Sequence, residues 1–209
     1  NGCGKTTLFN LISGHVTPTS GTAVFLGTDV VGLPEHKIAR LGLGRKFQVP
    51  TVYEDLTVRE NLEVAAFARP GRKGLRGLRN PSGAKLSDLA KTIGLERHLT
   101  HQAGTLSHGQ KQWLEIGLVL ATSPKLMLLD EPTAGMTGGE TAKTADLVLR
   151  VQRDLGVAML LIEHDMAFVE ALNCDVVVMV AGQIVVRGAY DEIRQSRQVR
   201  EAYLGPGYA

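Results

Sequence analysis

The first seven residues match the end of a phosphate-binding loop. Asn1-Gly2-Cys3-Gly4-Lys5-Thr6-Thr7 fits the motif G-x-x-x-x-G-K-[ST], whose first glycine would lie upstream of Asn1. In such a loop, backbone N–H groups and the N-terminus of a helix surround the phosphates. Lys5 is expected to contact the β- and γ-phosphate oxygens, and the Thr6 hydroxyl to bind Mg²⁺. The sequence therefore predicts nucleotide binding by Asn1, Gly2, Cys3, Gly4, Lys5, Thr6 and Thr7.

Two consecutive carboxylates, Asp130 and Glu131, follow the apolar run at residues 126–129. Ligands of parallel sheets bind at the carboxyl ends of the strands, so both side chains are expected at that edge. Asp130 is predicted to hold Mg²⁺ through water, opposite Thr6. Glu131 is predicted to orient and polarise the water that attacks the γ-phosphate. An isolated Asp-Glu pair more often ends a strand in solvent, but the phosphate loop favours the catalytic interpretation.

A third motif lies directly before a predicted helix. Ser107 and Gln110 have the spacing of a capping box, which is sufficient to start a helix. A helix N-terminus with a hydroxyl and a glycine is also an anion site, so the segment is equally suited to a second phosphate surface. Both interpretations use the same residues, which are Ser107, His108, Gly109 and Gln110.

Hydrophobic periodicity predicts the elements that position these residues. Helices are expected at residues 5–13, 58–66, 84–93, 108–121, 140–155 and 165–172. Strands are expected at residues 22–26, 126–129, 157–162, 176–180 and 183–187, the second, third and fourth of them buried on both faces. Alternating strands and helices predict an α/β fold with a P-loop core, a mostly parallel sheet and an antiparallel hairpin at 176–187. A helical subdomain is inserted, and the strand before the phosphate loop is expected to be missing.

Composition excludes several classes of protein. A formal net charge of +2 is too small to indicate a nucleic-acid partner. The two cysteines, Cys3 and Cys174, have neither the spacing of a zinc site nor that of a disulfide framework, so a reducing cytoplasm is expected. No apolar run is long enough to span a bilayer. The basic, glycine-rich stretch at residues 69–85 is either a solvated loop or a contact with anionic lipid or a membrane partner.

Four motifs in order make the chain resemble the nucleotide-binding subunits of the ATP-binding cassette (ABC) family. They are the phosphate loop, Leu106-Ser107-His108-Gly109-Gln110 in place of the family's L-S-G-G-Q signature, the run at residues 126–131, and Glu163-His164-Asp165. The resemblance implies an ATPase that binds ATP and Mg²⁺. It covers essentially the whole chain. A DNA-repair or translation ATPase is disfavoured because the sequence has neither a long heptad insertion nor a second cassette, and a regulator that does not hydrolyse ATP is disfavoured by Glu131 and His164.

The resemblance also implies roles that the residues alone do not show. Gln48 would contact Mg²⁺ and sense the γ-phosphate, and His164 would be the switch histidine that contacts the same phosphate. Two subunits would close face to face, with each ATP held between Lys5 of one subunit and Ser107 of the other. His108 replaces a glycine of the signature, and Thr137 replaces a frequent aspartate, which puts direct aspartate-based coupling of the two sites in doubt.

Within the family, the chain is similar to the branched-chain amino acid and urea importers, and most similar to the urea type. The similarity rests on residues 44–48, 110–116, 162–166 and 202–205, and for the urea type on residues 106–113 and 135–137. It implies a peripheral subunit on the cytoplasmic face of the inner membrane. Its partners would be a second ATP-binding subunit, membrane permease subunits and, indirectly, a periplasmic solute-binding protein. The predicted division is a core at 1–51, a helical subdomain at 52–121 and the rest of the core at 122–209.

Overall fold

The computed structural model describes residues 3–46, 52–67 and 83–195 of the 209-residue chain. Its elements in chain order are α1 Lys5–Ile12, β1 Val24–Phe25, β2 Thr28–Asp29, α2 Glu35–Leu41, β3 Leu43–Lys46, α3 Val58–Phe67, α4 Gly83–Thr92, α5 His108–Ala121, β4 Leu126–Asp130, α6 Gly138–Leu155, β5 Ala158–Ile162, α7 Met166–Leu172, β6 Asp175–Val180, β7 Gln183–Ala189 and α8 Tyr190–Gln195. Two short 3₁₀ turns, Glu96–His98 and Ala103–Thr105, precede α5.

A three-stranded parallel sheet forms the centre of the described fold, in the order β3-β4-β5. Leu43 pairs with Leu126, and Asp130 pairs with Ile162 at the carboxyl end of the sheet. This register places the ends of β4 and β5 side by side. The loops that follow the two strands therefore begin at the same edge, as expected for a ligand site in an α/β protein.

Strand β4 is buried on both of its faces because side chains alternate along a strand. Leu128 packs with Phe9 and Ile38 against α1 and α2. Met127 and Leu129 face the other way, into the larger core formed with α5, α6 and α7. The phosphate-loop helix and the helix that follows Ser107 thus pack on opposite sides of one strand.

Helices α5 and α6 begin at capping boxes. Ser107 caps α5 with Gln110, as the sequence predicts, and Thr137 caps α6 with Glu140. Each box satisfies backbone N–H groups that have no partner inside the helix. The start of both helices is therefore fixed by local side-chain chemistry, while their buried faces fix their orientation.

The α/β class, the parallel sheet and the antiparallel hairpin are confirmed, and the predicted helices all form within about three residues of their expected ends. The hairpin β6–β7 turns at Ala181 and Gly182, both with positive φ as a two-residue turn requires. The strand predicted at 22–26 is only Val24–Phe25, and it pairs with the unpredicted β2.

Burial of β5 and β6 on both faces was expected and is wrong for the described residues. Leu160 of β5 and Val177 of β6 are 38% and 44% exposed. One face of β5 packs on the larger core through Met159 and Leu161, whereas the face that carries Ala158 and Leu160 is exposed in the described residues. No helix in the described ranges is long and apolar enough to cross a bilayer. The three-part domain division stays a prediction.

Candidate active site

The phosphate loop reaches its helix through a glycine in a left-handed conformation. Gly4 has φ +94° and is the N-cap of α1, so Lys5 is the first helical residue. The carbonyl oxygen of Cys3 accepts a hydrogen bond of 3.0 Å from the N–H group of Gly182. The turn of the β6–β7 hairpin therefore contacts this loop, which the sequence did not predict. Lys5 and Thr6 are half-buried, whereas Asn1, Gly2 and Gln48 lie outside the described residues.

Asp130 lies beside Thr6, as predicted. The Thr6 hydroxyl donates a hydrogen bond to its carboxylate, and the residue is only 5% exposed. Burial raises the pKa of Asp130 above its ordinary value and the charge of Glu131 raises it further, although the Thr6 hydrogen bond, Arg45 and Lys46 act in the opposite direction. The net direction is upward because burial is the largest of these effects.

Glu131 adopts a backbone conformation that is unusual for a residue other than glycine. Its φ is +47°, and its N–H group donates to the carbonyl oxygen of Ile162 at 2.9 Å. Strain of this kind occurs where surrounding structure holds a functional residue in place. The turn brings the Glu131 side chain to His164, whose Nδ1 atom lies 3.6 Å from the Oε1 atom of Glu131. The two predicted catalytic residues are therefore neighbours.

Glu163 joins the two loops that carry these residues. Its carboxylate accepts hydrogen bonds from Thr133 on one side and from the backbone of His164 and Asp165 on the other. The sequence motif contained Glu163 but assigned it no role. Thr133 follows Glu131 by two residues, and no local pattern links it to position 163.

The segment that begins α5 lies against the loop after β4. The Nε2 atom of His108 is 3.0 Å from the carbonyl oxygen of Ala134, and Gly109 lies against Glu140. A Cβ atom at Gly109 would be 2.5 Å from the Oε1 atom of Glu140. The Gln110 side chain completes the capping box and also contacts His98 at 3.2 Å. The cap is confirmed, and nucleotide binding by these four residues stays a prediction.

Strand β3 contacts a helix on each face of the sheet. Arg45 donates to the Ser13 hydroxyl at 2.7 Å on the α1 side. The next residue, Lys46, forms an ion pair of 3.2 Å with Glu115 of α5, and both side chains are only 6% exposed. Because consecutive strand residues point to opposite faces, one short strand contacts both helices. The sequence indicated neither contact.

Comparison with known protein families shows which family the chain belongs to. The sequence pattern that describes the ABC transporter family matches residues 1–134, which is more than half of the chain. The chain belongs to the ABC transporter family. It is accordingly an ABC-type ATPase domain.

The relatives of this ABC chain include transporter subunits of known name. It is 36% identical to the high-affinity branched-chain amino acid transport ATP-binding protein BraF of Pseudomonas aeruginosa, over 98% of this chain and 84% of the relative. The corresponding protein LivG of Escherichia coli gives the same identity and coverage.

Solved structures agree with the fold. The ADP conformation of MJ1267, an ATP-binding cassette of an ABC transporter, has a TM-score of 0.83 and 29% identity, covering 99% of this chain and 85% of that one. CbiO1 from Clostridium perfringens, part of an ABC transporter complex, has a TM-score of 0.79 and 25% identity, covering 98% and 81%.

Mg²⁺, which the family binds with ATP, fits the residues present. It prefers oxygen ligands, and the Thr6 hydroxyl and Asp130 carboxylate are adjacent. Burial and the charge of Glu131 raise the pKa of Asp130, and a bound cation would favour its ionised form. No cluster of three or more His, Cys, Asp or Glu side chains in the described ranges could hold a metal by itself. When bound, the ion supplies neutralisation of charge on the phosphate oxygens.

Proposed function

We propose that this ABC ATPase subunit powers the import of branched-chain amino acids through separate membrane permease subunits. The observation that carries the proposal is the 36% identity over 98% of the chain to BraF, whose name states that transport. LivG supports it equally. A methionine import ATP-binding protein, MetN of Corynebacterium glutamicum, is 34% identical over 97% of the chain, which supports import of small solutes more broadly.

At the site, Glu131 would orient and polarise the attacking water, because its carboxylate is partly exposed at the end of β4 beside His164. His164 would contact the γ-phosphate, while Lys5 and the loop N–H groups hold the β- and γ-phosphates. In a dimer with a second ATP-binding subunit, Ser107 to Gln110 would complete the partner's nucleotide site. The N-terminus of α5, where Ser107 and His108 are exposed, supports this role because the helix dipole favours an anion there.

A surface on the predicted helical subdomain suits a membrane partner. Val64 and Phe67 of α3 are 43% and 41% exposed, and their spacing places them on neighbouring turns of one face. Tyr53, 57% exposed, is attached to the same helix because Asn61 bonds both its N–H group and its carbonyl oxygen. Exposed apolar side chains grouped in this way are typical of a protein contact. The permease would dock here, at the cytoplasmic face of the inner membrane.

Urea is the second candidate substrate. It rests on the resemblance of residues 106–113 and 135–137 to urea-type importers, and His108 and Thr137 are the residues that carry it. These residues lie in the ATPase domain and do not contact the transported solute, so they indicate kinship rather than specificity. The urea alternative therefore stays a prediction that depends on measurement.

Transport by the assembled complex tests the proposal. The subunit would be reconstituted with its permease subunits in proteoliposomes, and uptake of labelled leucine and labelled urea measured with ATP and a solute-binding protein for each. We expect ATP-dependent uptake of leucine, with no uptake by the Glu131→Gln complex. Urea uptake without leucine uptake would replace the substrate assignment. ATP-independent uptake would remove the assignment of this chain as the energising subunit.

A further inference from the structure

Glu163 accepts four hydrogen bonds from two separate loops. Its Oε1 atom accepts from the N–H group and the hydroxyl of Thr133, at 3.0 and 2.6 Å. Its Oε2 atom accepts from the N–H groups of His164 and Asp165, at 3.1 and 3.5 Å. Every partner is a donor, and an ionised carboxylate is an acceptor only, so charge and geometry match.

These bonds lie just beyond the last backbone contact between the two strands. The sheet pairs Asp130 with Ile162, and the N–H group of Glu131 still donates to the Ile162 carbonyl oxygen. From that point the chains separate into two loops. Within the described residues, the hydrogen bonds between Glu163 and Thr133 join these two loops.

We propose that Glu163 is a positioning residue for ATP hydrolysis, which sets the distance between Glu131 and His164 by tying the loop after β4 to the start of the loop after β5. Oε1 holds the segment two residues past Glu131, and Oε2 holds the backbone of His164 itself. The 3.6 Å separation of the two catalytic candidates follows from this arrangement. The inference rests on the proposed roles of Glu131 and His164 and names a residue through which both are placed.

Glu163→Gln tests the inference because it keeps the shape and removes half of the acceptors. A glutamine has one oxygen and one NH₂ group, so its NH₂ group must face the N–H donors of one loop. We expect kcat for ATP to fall by about 10- to 100-fold, the size of effect that a misplacement near 1 Å produces. KM should stay within about threefold, because the hydrogen bonds of Glu163 within the described residues go to Thr133, His164 and Asp165 and not to the phosphate loop or α5.

The matched control is Glu170→Gln on α7, where the carboxylate forms an exposed ion pair of 3.4 Å with Arg194. It should leave kcat and KM unchanged.

A second pair of variants examines the other end of the contact: Thr133→Val removes the hydroxyl bond, and Thr133→Ser retains it. Turnover should fall in the valine variant and recover in the serine variant. The double variant Glu163→Gln with Thr133→Val should be no slower than Glu163→Gln alone, because both act through one contact.

Glu131→Gln measured in parallel separates the two ideas. If Glu131→Gln is inactive and Glu163→Gln turns over at the wild-type rate, the positioning role is overturned and the proposed function is retained. If Glu131→Gln itself turns over normally, the proposed role of Glu131 fails, and with it the pair that Glu163 is proposed to position. If Glu163→Gln does not fold, the Thr133 variants decide: equal turnover of the valine and serine variants at unchanged thermal midpoints overturns the inference, and rescue by serine supports it.

Discussion

The Nδ1 atom of His164 lies 3.6 Å from the Oε1 atom of Glu131, at the ends of two adjacent parallel strands. Glu131 reaches this position through a left-handed turn, while Asp130 directly before it points to Thr6. Two consecutive carboxylates thus face different partners. Asp130 lies beside Thr6, which is expected to bind Mg²⁺, and Glu131 lies beside His164, which is expected to contact the γ-phosphate.

Because the two carboxylates face different partners, neutralising Glu131 should impair hydrolysis, whereas neutralising Asp130 should also impair nucleotide binding. Glu131→Gln keeps the shape but removes the basic oxygen, so hydrolysis should fall by about 10² or more while Mg-ATP still binds. The subunit should then accumulate as an ATP-bound dimer. Asp130→Asn should instead weaken nucleotide affinity in Mg²⁺ together with turnover, and no dimer should accumulate. Size-exclusion chromatography with ATP and Mg²⁺ distinguishes them, and an active or monomeric Glu131→Gln variant would show that another group activates the water.

The buried ion pair between Lys46 and Glu115 should matter for stability. Removing one partner leaves a buried charge unpaired, so Lys46→Met should lower the free energy of unfolding by about 3–5 kcal/mol. The double variant with Glu115→Leu should recover most of this loss, because two apolar side chains suit the buried site. Urea titration of the purified subunit measures both.

Lys111→Met is the control for the Lys46–Glu115 pair, because Lys111 lies on α5, the helix that carries Glu115. Lys111 contacts Glu54 at 2.6 Å, but the side chains are 29% and 65% exposed. A pair of this kind contributes about 0–1 kcal/mol, so the variant should be close to wild type. A Lys46→Met loss no larger than that of Lys111→Met would show that the buried pair contributes little.

Local patterns predicted much of this site because each pattern is contained in a short stretch of chain. The phosphate loop, the apolar run before Asp130 and the Ser107 cap all depend on neighbours within about five residues. The pairs Lys46–Glu115 and Thr133–Glu163 join residues far apart in sequence. They exist only once strand order and register are set, which a single sequence does not display.

The sequence analysis did not predict α2, β2, β3 or α8. Strand β3, Leu43–Lys46, carries two consecutive basic residues and a glycine, so it lacks the apolar pattern of a buried strand. Tertiary contacts to Ser13 and Glu115 stabilise it instead. The Thr137 cap was visible as T-x-x-E, a spacing that predicts a capping box and to which no role was assigned.

His108 and Gly109 should respond differently to substitution although they are adjacent. His108→Gly removes an exposed contact with the Ala134 carbonyl, so turnover should stay within a few-fold, about 1 kcal/mol of barrier. Gly109→Ala places a Cβ atom 2.5 Å from the Oε1 atom of Glu140, whose carboxylate is held by Thr137. Its turnover should fall further. Steady-state ATPase assays compare them, and a loss of a hundredfold or more in His108→Gly would give the imidazole a role in the reaction.

Ionisation of Asp130 should lower the free energy of unfolding of the nucleotide-free protein, by an amount that depends on pH. Its pKa is raised by burial and by Glu131 above the ordinary value of 3.8, so the folded state holds the proton more tightly than the unfolded state. The free energy of unfolding therefore falls as pH rises from the ordinary pKa through the raised one, and stays lower above it. Asn cannot ionise, so Asp130→Asn removes this loss.

We therefore expect Asp130→Asn without nucleotide to raise the thermal midpoint by about 2–4 °C near neutral pH, the scale of a single stabilising substitution in a chain of this length. The gain should shrink as pH falls towards the ordinary pKa of 3.8, because an increasing fraction of Asp130 is then protonated in the folded protein. Adding Mg²⁺ and ATP should reverse the order, because the wild type binds both more tightly. Asp154→Asn is the control: that side chain is exposed and its pKa is lowered by Arg153, so no gain is expected at either pH. A lower midpoint for Asp130→Asn at neutral pH would show that Thr6, Arg45 and Lys46 already compensate the charge, and that the site does not need a metal ion to do so.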